Sequence, residues 1–263
     1  MSKHEDVDFF KGRGIIVTGA GRGIGQAVAE EFGKYGASLH LIARGESVNT
    51  VAQGIRDAGG KAQSYTGSVS DSTFAAKTVQ AITEKEPVDI LVNCAAILGP
   101  EGPFIGQDPA AFQETMDVNV SGNANFMRLV LPQMEARGFG RIVNFAGGGA
   151  AFSYPMFSAY GTSKAALVRL TEIVADEIKS DNVTANIIAP GAVETEMLAE
   201  VRRRGGAVRT TTHISEPVKL VVFLSGPHCS HVNGRFIHAR DSYTDPSLFS
   251  DRDMLRLRRT ERR

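Results

Sequence analysis

Short apolar runs alternate with longer segments of helical periodicity along nearly the whole chain. Seven runs predict strands at 14–17, 38–43, 62–66, 89–93, 141–145, 184–188 and 235–238. The longer segments predict helices at 23–35, 47–58, 70–84, 109–137, 158–180 and 216–224. Alternating strands and helices are typical of a parallel sheet with helices on both faces. The sequence therefore predicts a single-domain α/β fold with a doubly wound, seven-stranded parallel sheet.

One internal segment, 194–215, does not follow this alternation. It comes after the sixth predicted strand, and ligands in open α/β sheets bind beyond the carboxyl ends of the strands. We therefore predict a substrate loop at about 192–215. Because no Pro-, Ser- or charge-rich linker divides the chain, we expect one domain over 1–250, followed by a basic tail at 251–263.

The composition narrows the function classes. The chain has 263 residues, 42% of them hydrophobic, with 29 Lys+Arg against 29 Asp+Glu. A net charge of zero provides no overall field to attract nucleic acid or an anionic membrane. Cys94 and Cys229 are too far apart for a disulfide framework or a metal-ligand motif, and the chain has neither a secretory signal nor a long apolar run. We expect a soluble, cytoplasmic protein without a metal, nucleic-acid or membrane partner.

The clearest motif lies between the first strand and the first helix, where residues 18–25 read Thr-Gly-Ala-Gly-Arg-Gly-Ile-Gly. Glycines let a backbone approach a pyrophosphate closely, and the following helix offers free N–H donors and a partial positive charge. This context predicts a dinucleotide site. Its candidate residues are Gly19, which would make the turn, Gly21, Arg22, Ile24, and Gly23 and Gly25, which would allow the close approach.

The Gly-x-x-x-Gly-x-Gly spacing after a threonine resembles that of the short-chain dehydrogenase/reductase family. Further motifs with the family's order follow: Asn93-Cys94-Ala95-Ala96, Asn119 within Asp-Val-Asn-Val-Ser-Gly, Tyr160-Gly-Thr-Ser-Lys164, and Pro190-Gly191 with Thr195. The resemblance covers nearly the whole chain. It implies a Rossmann fold and an oxidoreductase that uses a nicotinamide cofactor, with Asn93, Pro190, Gly191 and Thr195 among the cofactor-binding residues.

The end of the second strand bears on the choice of cofactor. NAD-preferring folds usually place an acidic residue there for the ribose hydroxyls, whereas this chain has Ala43-Arg44. Arg44, joined by Arg22, is suited to a 2′-phosphate. Unless both arginines are simply solvated surface charges, NADP(H) is preferred over NAD(H). After the third strand, Val69 is expected to cover the adenine.

Tyr160 and Lys164 lie four residues apart at the start of a predicted helix and so share one face. A tyrosine with an ordinary pKa near 10 needs a neighbouring cation to exchange protons near neutrality, and Lys164 would be that cation. The resemblance implies that Tyr160 is the general acid/base. It also implies that Lys164 binds the nicotinamide ribose and that Asn119 holds a water in a proton relay.

The family's catalytic serine is absent. Its position, thirteen residues before the tyrosine, is Gly147, within Ala-Gly-Gly-Gly-Ala. Backbone N–H groups of Gly148 or Gly149 would be one substitute donor, and Ser153, Ser158 or a substrate hydroxyl another. A third explanation is that the reductase activity has been lost. Gly147, Gly148 and Ser153 are the candidate substrate residues.

Two further features concern substrate and assembly. Residues 202–204 are three arginines, with Arg209 beyond, so the segment either holds an anionic or sugar-like substrate or is a solvated helix end. The predicted helices 109–137 and 158–180 match those that pair between subunits in the family, which implies a homodimer or homotetramer.

Together these observations predict an NADPH-dependent ketoreductase or alcohol dehydrogenase acting on a small-molecule substrate. The alternative is a nucleotide-binding relative whose redox activity is lost or altered, as in an epimerase, a dehydratase or a regulatory protein, because the catalytic serine is missing.

Overall fold

The computed structural model describes residues 8–206, 208, 210–251 and 253–257. Seven strands form one parallel sheet in the order β3-β2-β1-β4-β5-β6-β9, as predicted. These strands are β1 Gly14–Thr18, β2 Ser38–Ala43, β3 Lys61–Thr66, β4 Val88–Asn93, β5 Gly140–Phe145, β6 Val183–Ala189 and β9 Phe236–His238. Two short strands, β7 Ala192–Val193 and β8 Thr211–Thr212, pair separately.

The helices that cover the sheet are α1 Gly23–Lys34, α2 Ser47–Asp57, α3 Ser72–Thr83, α4 Pro109–Met116, α5 Gly122–Arg137, α6 Ser158–Glu177, α7 Glu196–Arg203 and α8 Ser215–Ser225. Several begin at side-chain caps that satisfy free backbone N–H groups. Asp71 accepts from the N–H groups of Thr73 and Phe74, and Asp108 caps α4 just before Pro109.

The strand sequences follow from burial. Strands β1, β4, β5 and β6 are buried at every position because helices cover both faces, whereas edge strand β3 has no fully buried residue. One core joins β1 and β4 to α1, α2 and α8 through residues such as Phe32, Ile55 and Leu220. The other face packs on α3 and α5, with Phe126 and Met134 near its centre.

Two predicted segments differ from the structure. The predicted helix 109–137 is interrupted by a π-helical turn, Asp117–Ser121, between α4 and α5. The supposedly irregular segment 194–215 contains α7 and β8. Its helix was obscured because α7 is only 8 residues long and has buried apolar residues at just two positions, Leu198 and Val201.

Within the described residues, no helix is both long and apolar enough to cross a membrane.

Candidate active site

The glycine turn lies at the carboxyl end of β1, pressed against the chain that leaves β4. Gly19 has a φ of +68°, and a Cβ there would lie 2.7 Å from the backbone nitrogen of Ala95. A Cβ on Gly25 would lie 2.3 Å from the Gly19 carbonyl oxygen. Thr18 fixes the same contact, because its Oγ1 accepts from the N–H groups of Cys94 and Ala95, at 3.2 Å each. Side chains are therefore excluded from the places where the turn must stay narrow.

The turn fits the diphosphate of a dinucleotide. No side-chain cap occupies the first N–H groups of α1, whose N-cap residue is Arg22. Gly23 has a φ of +58°, and a Cβ there would meet Thr195 Cγ2 at 3.3 Å, so the turn faces the start of α7. A Cβ on Gly21 would lie 2.4 Å from Ser47 Oγ. Side chains at these positions would fill the cradle that the bare backbone leaves.

The two arginines expected at the 2′-phosphate are on the surface beside this turn. Arg22 forms an ion pair with Glu196, and Arg44 Nη1 lies 3.8 Å from Glu114 Oε1. The side chains of Arg22 and Arg44 are 70% and 56% exposed. Such exposed ion pairs contribute little to the free energy of folding, so either arginine can leave its carboxylate to bind another anion at little cost.

Ser47 lies beside the glycine turn but was not among the residues predicted for the cofactor site. Its hydroxyl adjoins Gly21 and it is the first residue of α2, so hydroxyl, helix N-terminus and Arg44 follow one another just after β2. A Ser soon after the second strand of a dinucleotide-binding fold was the available signal.

The other predicted cofactor residues also follow strand ends. Val69 is 4% exposed and packs against Gly122, at the start of α5. Gly191 has a φ of +74°, and a Cβ there would lie 2.3 Å from Thr212 Oγ1. Thr195 caps α7 by accepting from Leu198 N. These residues frame one edge of the sheet together with the glycine turn. Ile24 is in the first turn of α1, and Pro190 lies between β6 and β7.

Asn93 is placed differently from the rest, inside a buried polar network. Its Nδ2 donates to Asn144 Oδ1 at 2.9 Å, and Asn144 in turn donates to Thr171 Oγ1 at 2.8 Å. The amide thus joins β4 to β5 and α6. The contacts that the structure gives Asn93 are those of a residue that holds the sheet beneath the cleft.

Tyr160 and Lys164 meet on the inner face of α6, as the spacing predicts. Lys164 is 2% exposed, its Nζ donates to the Phe145 carbonyl at 2.8 Å and lies 5.6 Å from the Tyr160 ring centroid. Burial lowers the pKa of Lys164 to about 8. The lysine therefore changes charge near neutral pH.

Lys164 does not lower the pKa of Tyr160. Burial raises the pKa of Tyr160 above its ordinary value, and the neighbouring Tyr154 and Cys94 raise it further. The Lys164 ammonium donates instead to the Phe145 carbonyl. The Tyr160 phenol is therefore protonated at neutral pH.

Asn119 lies in the π-helical turn and is completely buried. Its amide exchanges two hydrogen bonds with the backbone of Ile97, each 2.9 Å, and donates to Ser163 Oγ at 2.9 Å. Its own carbonyl oxygen accepts from Asn123 Nδ2 at 2.8 Å. Asn119 thus joins the loop after β4 to α6 beside Tyr160.

The expected serine position does face the reacting hydroxyl. A Cβ on Gly147 would lie 3.1 Å from Tyr160 Oη. The following residues, Gly148–Ala150, form a 3₁₀ turn, with Ala150 N donating to the Gly147 carbonyl. Ser153 is exposed. Ser158 does not cap α6 by a side-chain bond; it donates to Gln107 Oε1 at 2.6 Å.

Two of the three arginines at 202–204 have acidic partners. Arg202 donates to both carboxylate oxygens of Glu194, at 2.8 and 2.7 Å. Arg204 pairs with Glu200 and donates to the Gly99 carbonyl at 2.9 Å, which ties the end of α7 to the loop after β4. Arg209 lies outside the described residues. The segment is thus largely neutralised rather than a free cluster of cations.

The side chains next to Tyr160 are apolar. Leu98, Phe157 and Val201 form a buried cluster from three different segments. Tyr154, Tyr160, Met197 and Val208 pack against it. An apolar cluster thus lies against the Tyr160 side chain.

Comparisons with known proteins agree with this geometry. The family model for short chain dehydrogenases matches residues 13–205. An NADPH-dependent aldehyde reductase-like protein of Arabidopsis thaliana is 31% identical, covering 92% of this chain and 100% of the relative.

Two similar solved structures hold different nicotinamide cofactors. A putative NAD(P) dependent gluconate 5-dehydrogenase from Beutenbergia cavernae, with bound NADP, has a TM-score of 0.81 and 30% identity, covering 88% of this chain and 96% of that one. NAD⁺-bound xylitol dehydrogenase has a TM-score of 0.79 and 27% identity, covering 87% and 98%. With the fold, the glycine turn and the Tyr160–Lys164 pair in place, the chain belongs to the short-chain dehydrogenase family.

Proposed function

We propose that the protein is an NADPH-dependent oxidoreductase that interconverts a carbonyl group and a secondary alcohol on a small molecule. The observation that carries the proposal is the placement of Tyr160 beside Lys164 and Gly147, at the carboxyl end of β5. The glycine turn follows β1 at the same edge of the parallel sheet. The turn, Arg22, Arg44 and Thr195 would hold the cofactor, and the nicotinamide would supply or accept hydride.

Tyr160 acts as the general acid in the direction of reduction. Burial keeps its phenol protonated, so it can donate a proton to a carbonyl oxygen in the space beside Gly147. Lys164 then stabilises the phenolate that remains. Its cation is costly in a buried site, but this cost falls when an anion forms next to it.

The proposed preference for NADPH rests on Arg44 and on the absence of a carboxylate at the end of β2. Replacing Arg44 by Ala should raise the Kd of NADPH about 10- to 100-fold, the cost of one charge-assisted hydrogen bond, and leave the Kd of NADH within about twofold. Arg128→Ala, at an exposed position on α5, is the matched control. Equal weakening of both cofactors would contradict the assignment.

The proposed substrate is a carbonyl compound with apolar surface next to the reacting group. This follows from the cluster around Leu98, Phe157 and Val201 and from the acidic partners of Arg202 and Arg204. An aliphatic, alicyclic and aromatic ketone series, with a phosphorylated sugar as comparison, tests this choice.

The decisive experiment measures NADPH oxidation with that carbonyl panel. Tyr160→Phe should lower kcat by about 100- to 10,000-fold, the usual contribution of a general acid, while NADPH still binds. Tyr243→Phe is the matched control, because Tyr243 packs on Phe223 of α8. If the native protein reduces no member faster than Tyr160→Phe, the proposal fails.

A second candidate function is favoured by the missing hydroxyl at Gly147. A protein that binds NADP(H) without net turnover, for regulation, epimerisation or dehydration, would retain the same glycine turn. Tight NADPH binding with no oxidation across the panel would favour this candidate.

We further infer that copies of the chain associate through α5 and α6. Ile173 on α6 is 46% exposed, although it is apolar. Light scattering should give a mass of at least two chains, and a mass of one chain at micromolar concentration would contradict association.

A further inference from the structure

The proposed reduction lacks a second hydrogen-bond donor, which a side chain at position 147 would ordinarily supply. A transition state at a carbonyl develops negative charge on oxygen, and a second hydrogen-bond donor beside the general acid stabilises it. Gly147 faces Tyr160 Oη but has no side chain. Among the described residues from 147 to 159, the hydroxyl groups belong to Ser153, Tyr154 and Ser158.

The two serines are poor candidates on geometry. Ser158 donates to Gln107 Oε1 at 2.6 Å and is therefore engaged with the loop before α4. Ser153 is exposed to solvent, whereas Tyr154 is partly buried. Within the described part of the chain, the structure gives the Tyr154 hydroxyl no hydrogen-bond partner.

The Tyr154 ring is held by stacking and packs on the same apolar cluster as Tyr160. It stacks on Phe157, with ring centroids 4.9 Å apart and planes 19° apart, and Phe157 is 1% exposed. Tyr154 and Tyr160 both pack on the same apolar cluster. The ring also lies over Gly149, where an added Cβ would come within 3.5 Å of Tyr154 Cδ1. The glycine run thus has Tyr160 at one end and Tyr154 at the other.

Electrostatics agree with this proximity. After burial, Tyr154 is the largest influence that raises the pKa of Tyr160. Burial also raises the pKa of Tyr154 itself, so its phenol stays protonated at neutral pH. A protonated phenol with no protein acceptor is available as a donor.

We propose that Tyr154 is a further catalytic residue, whose phenol donates a hydrogen bond to the substrate oxygen that Tyr160 protonates. It thereby replaces the hydroxyl group that Gly147 lacks. The inference rests on the proposed function, because it requires reduction at Tyr160. It also explains how the chain tolerates a glycine at position 147: the glycine leaves room for the substrate oxygen beside Tyr160 Oη.

The test begins with Tyr154→Phe, which keeps the ring and its stacking on Phe157 and removes only the hydroxyl. With the carbonyl compound that the native protein reduces fastest, kcat should fall about 100- to 1,000-fold, as for loss of one oxyanion donor. The Kd of NADPH, measured by cofactor fluorescence, should stay within about twofold. Tyr243→Phe serves as the matched control and should retain native kcat.

Rescue separates a donor from a packing residue. Adding Gly147→Ser to Tyr154→Phe puts a hydroxyl back beside Tyr160 Oη and should recover at least about tenfold of the lost kcat. Gly147→Ala in the same background offers the same Cβ without the hydroxyl and should recover nothing. Recovery with serine alone supports the inference even if the single variant has lost some stability.

Several results would overturn it. A Tyr154→Phe protein within about threefold of native kcat, or a serine double variant no faster than the alanine one, rules out Tyr154 as the donor. If Tyr160→Phe is inactive in the same assays, the proposed function stands while this inference falls. If the native protein reduces no carbonyl at all, both fall.

Discussion

Replacing Lys164 by Met should separate the stability of this protein from its activity. The ammonium is 2% exposed, and its pKa falls from the ordinary 10.5 to about 8 because of burial. That difference corresponds to about 3 kcal/mol by which the charged lysine disfavours the folded state at neutral pH. Met has a similar volume without the charge but loses the hydrogen bond to the Phe145 carbonyl, which costs about 1 to 3 kcal/mol.

The difference in free energy of unfolding between the native protein and Lys164→Met should change with pH. This change is a more specific test than the difference at any one pH. Between pH 8 and 10.5 the unfolded chain keeps the Lys164 proton that the folded chain has released, so the native protein gains stability as the pH rises. Relative to Lys164→Met, the gain should be about 1.4 kcal/mol per pH unit, or about 2 kcal/mol from pH 8 to 9.5. Other groups titrate in both proteins and largely cancel in this difference.

Urea unfolding followed by circular dichroism at pH 7, 8 and 9.5, without cofactor, measures the effect; the chain has no Trp to serve as a fluorescence probe. At pH 7 the variant should be about as stable as the native protein or up to about 2 kcal/mol more stable, while its reductase activity is lost. Lys77→Met, at an exposed position of α3, should show no such pH dependence. A native-minus-variant difference that stays constant within about 0.5 kcal/mol from pH 7 to 9.5 would refute the reasoning.

Two other predictions concern the glycine turn and the thiols. Gly19→Ala requires a side chain at a φ of +68°, 2.7 Å from Ala95 N, so NADPH binding should weaken at least about tenfold and the free energy of unfolding should fall by about 1 to 3 kcal/mol. Gly54→Ala on α2, with open space around it, should leave NADPH binding unchanged and raise the free energy of unfolding by about 0.5 to 1 kcal/mol, because alanine is the better helix former. Calorimetric titration and urea unfolding check both variants. Burial raises the pKa of Cys94 and of Cys229 to about 12, so a disulfide reagent at pH 8 should react with these thiols about a thousandfold more slowly in the folded protein than in urea, and a fast-reacting thiol in the native protein would contradict their burial.

Local hydrophobic patterns predicted most of the strands and helices. Strands buried on both faces are continuous apolar runs, so β1, β4, β5 and β6 were predicted to within a residue or two. Helix α7 was missed because its 8 residues bury only Leu198 and Val201, and the π-helical turn at Asp117–Ser121 was missed because its apolar pattern continues the flanking helices. Both depend on long-range packing that local periodicity does not record.

At the candidate active site, too, the sequence predicted some features and only the packing of the fold determined others. Motif order placed Tyr160, Lys164 and the glycine turn, since chain spacing fixes which residues share a helix face or follow a strand. Spacing did not reveal that Lys164 donates to the Phe145 carbonyl, or that burial raises the pKa of Tyr160 and keeps its phenol protonated. Those facts depend on the desolvation that the complete core imposes.

The sequence by itself determined the α/β architecture, the dinucleotide turn and the Tyr-x-x-x-Lys pair, because each is written in residues close together in the chain. Only the tertiary structure decided which groups from distant parts of the chain meet at the site. It brought Thr195 against Gly23, tied Arg204 to the Gly99 carbonyl, and joined Asn119 to Ser163. These contacts join segments from different strand ends, and distances between such segments are set by the packing of the whole sheet rather than by any local pattern.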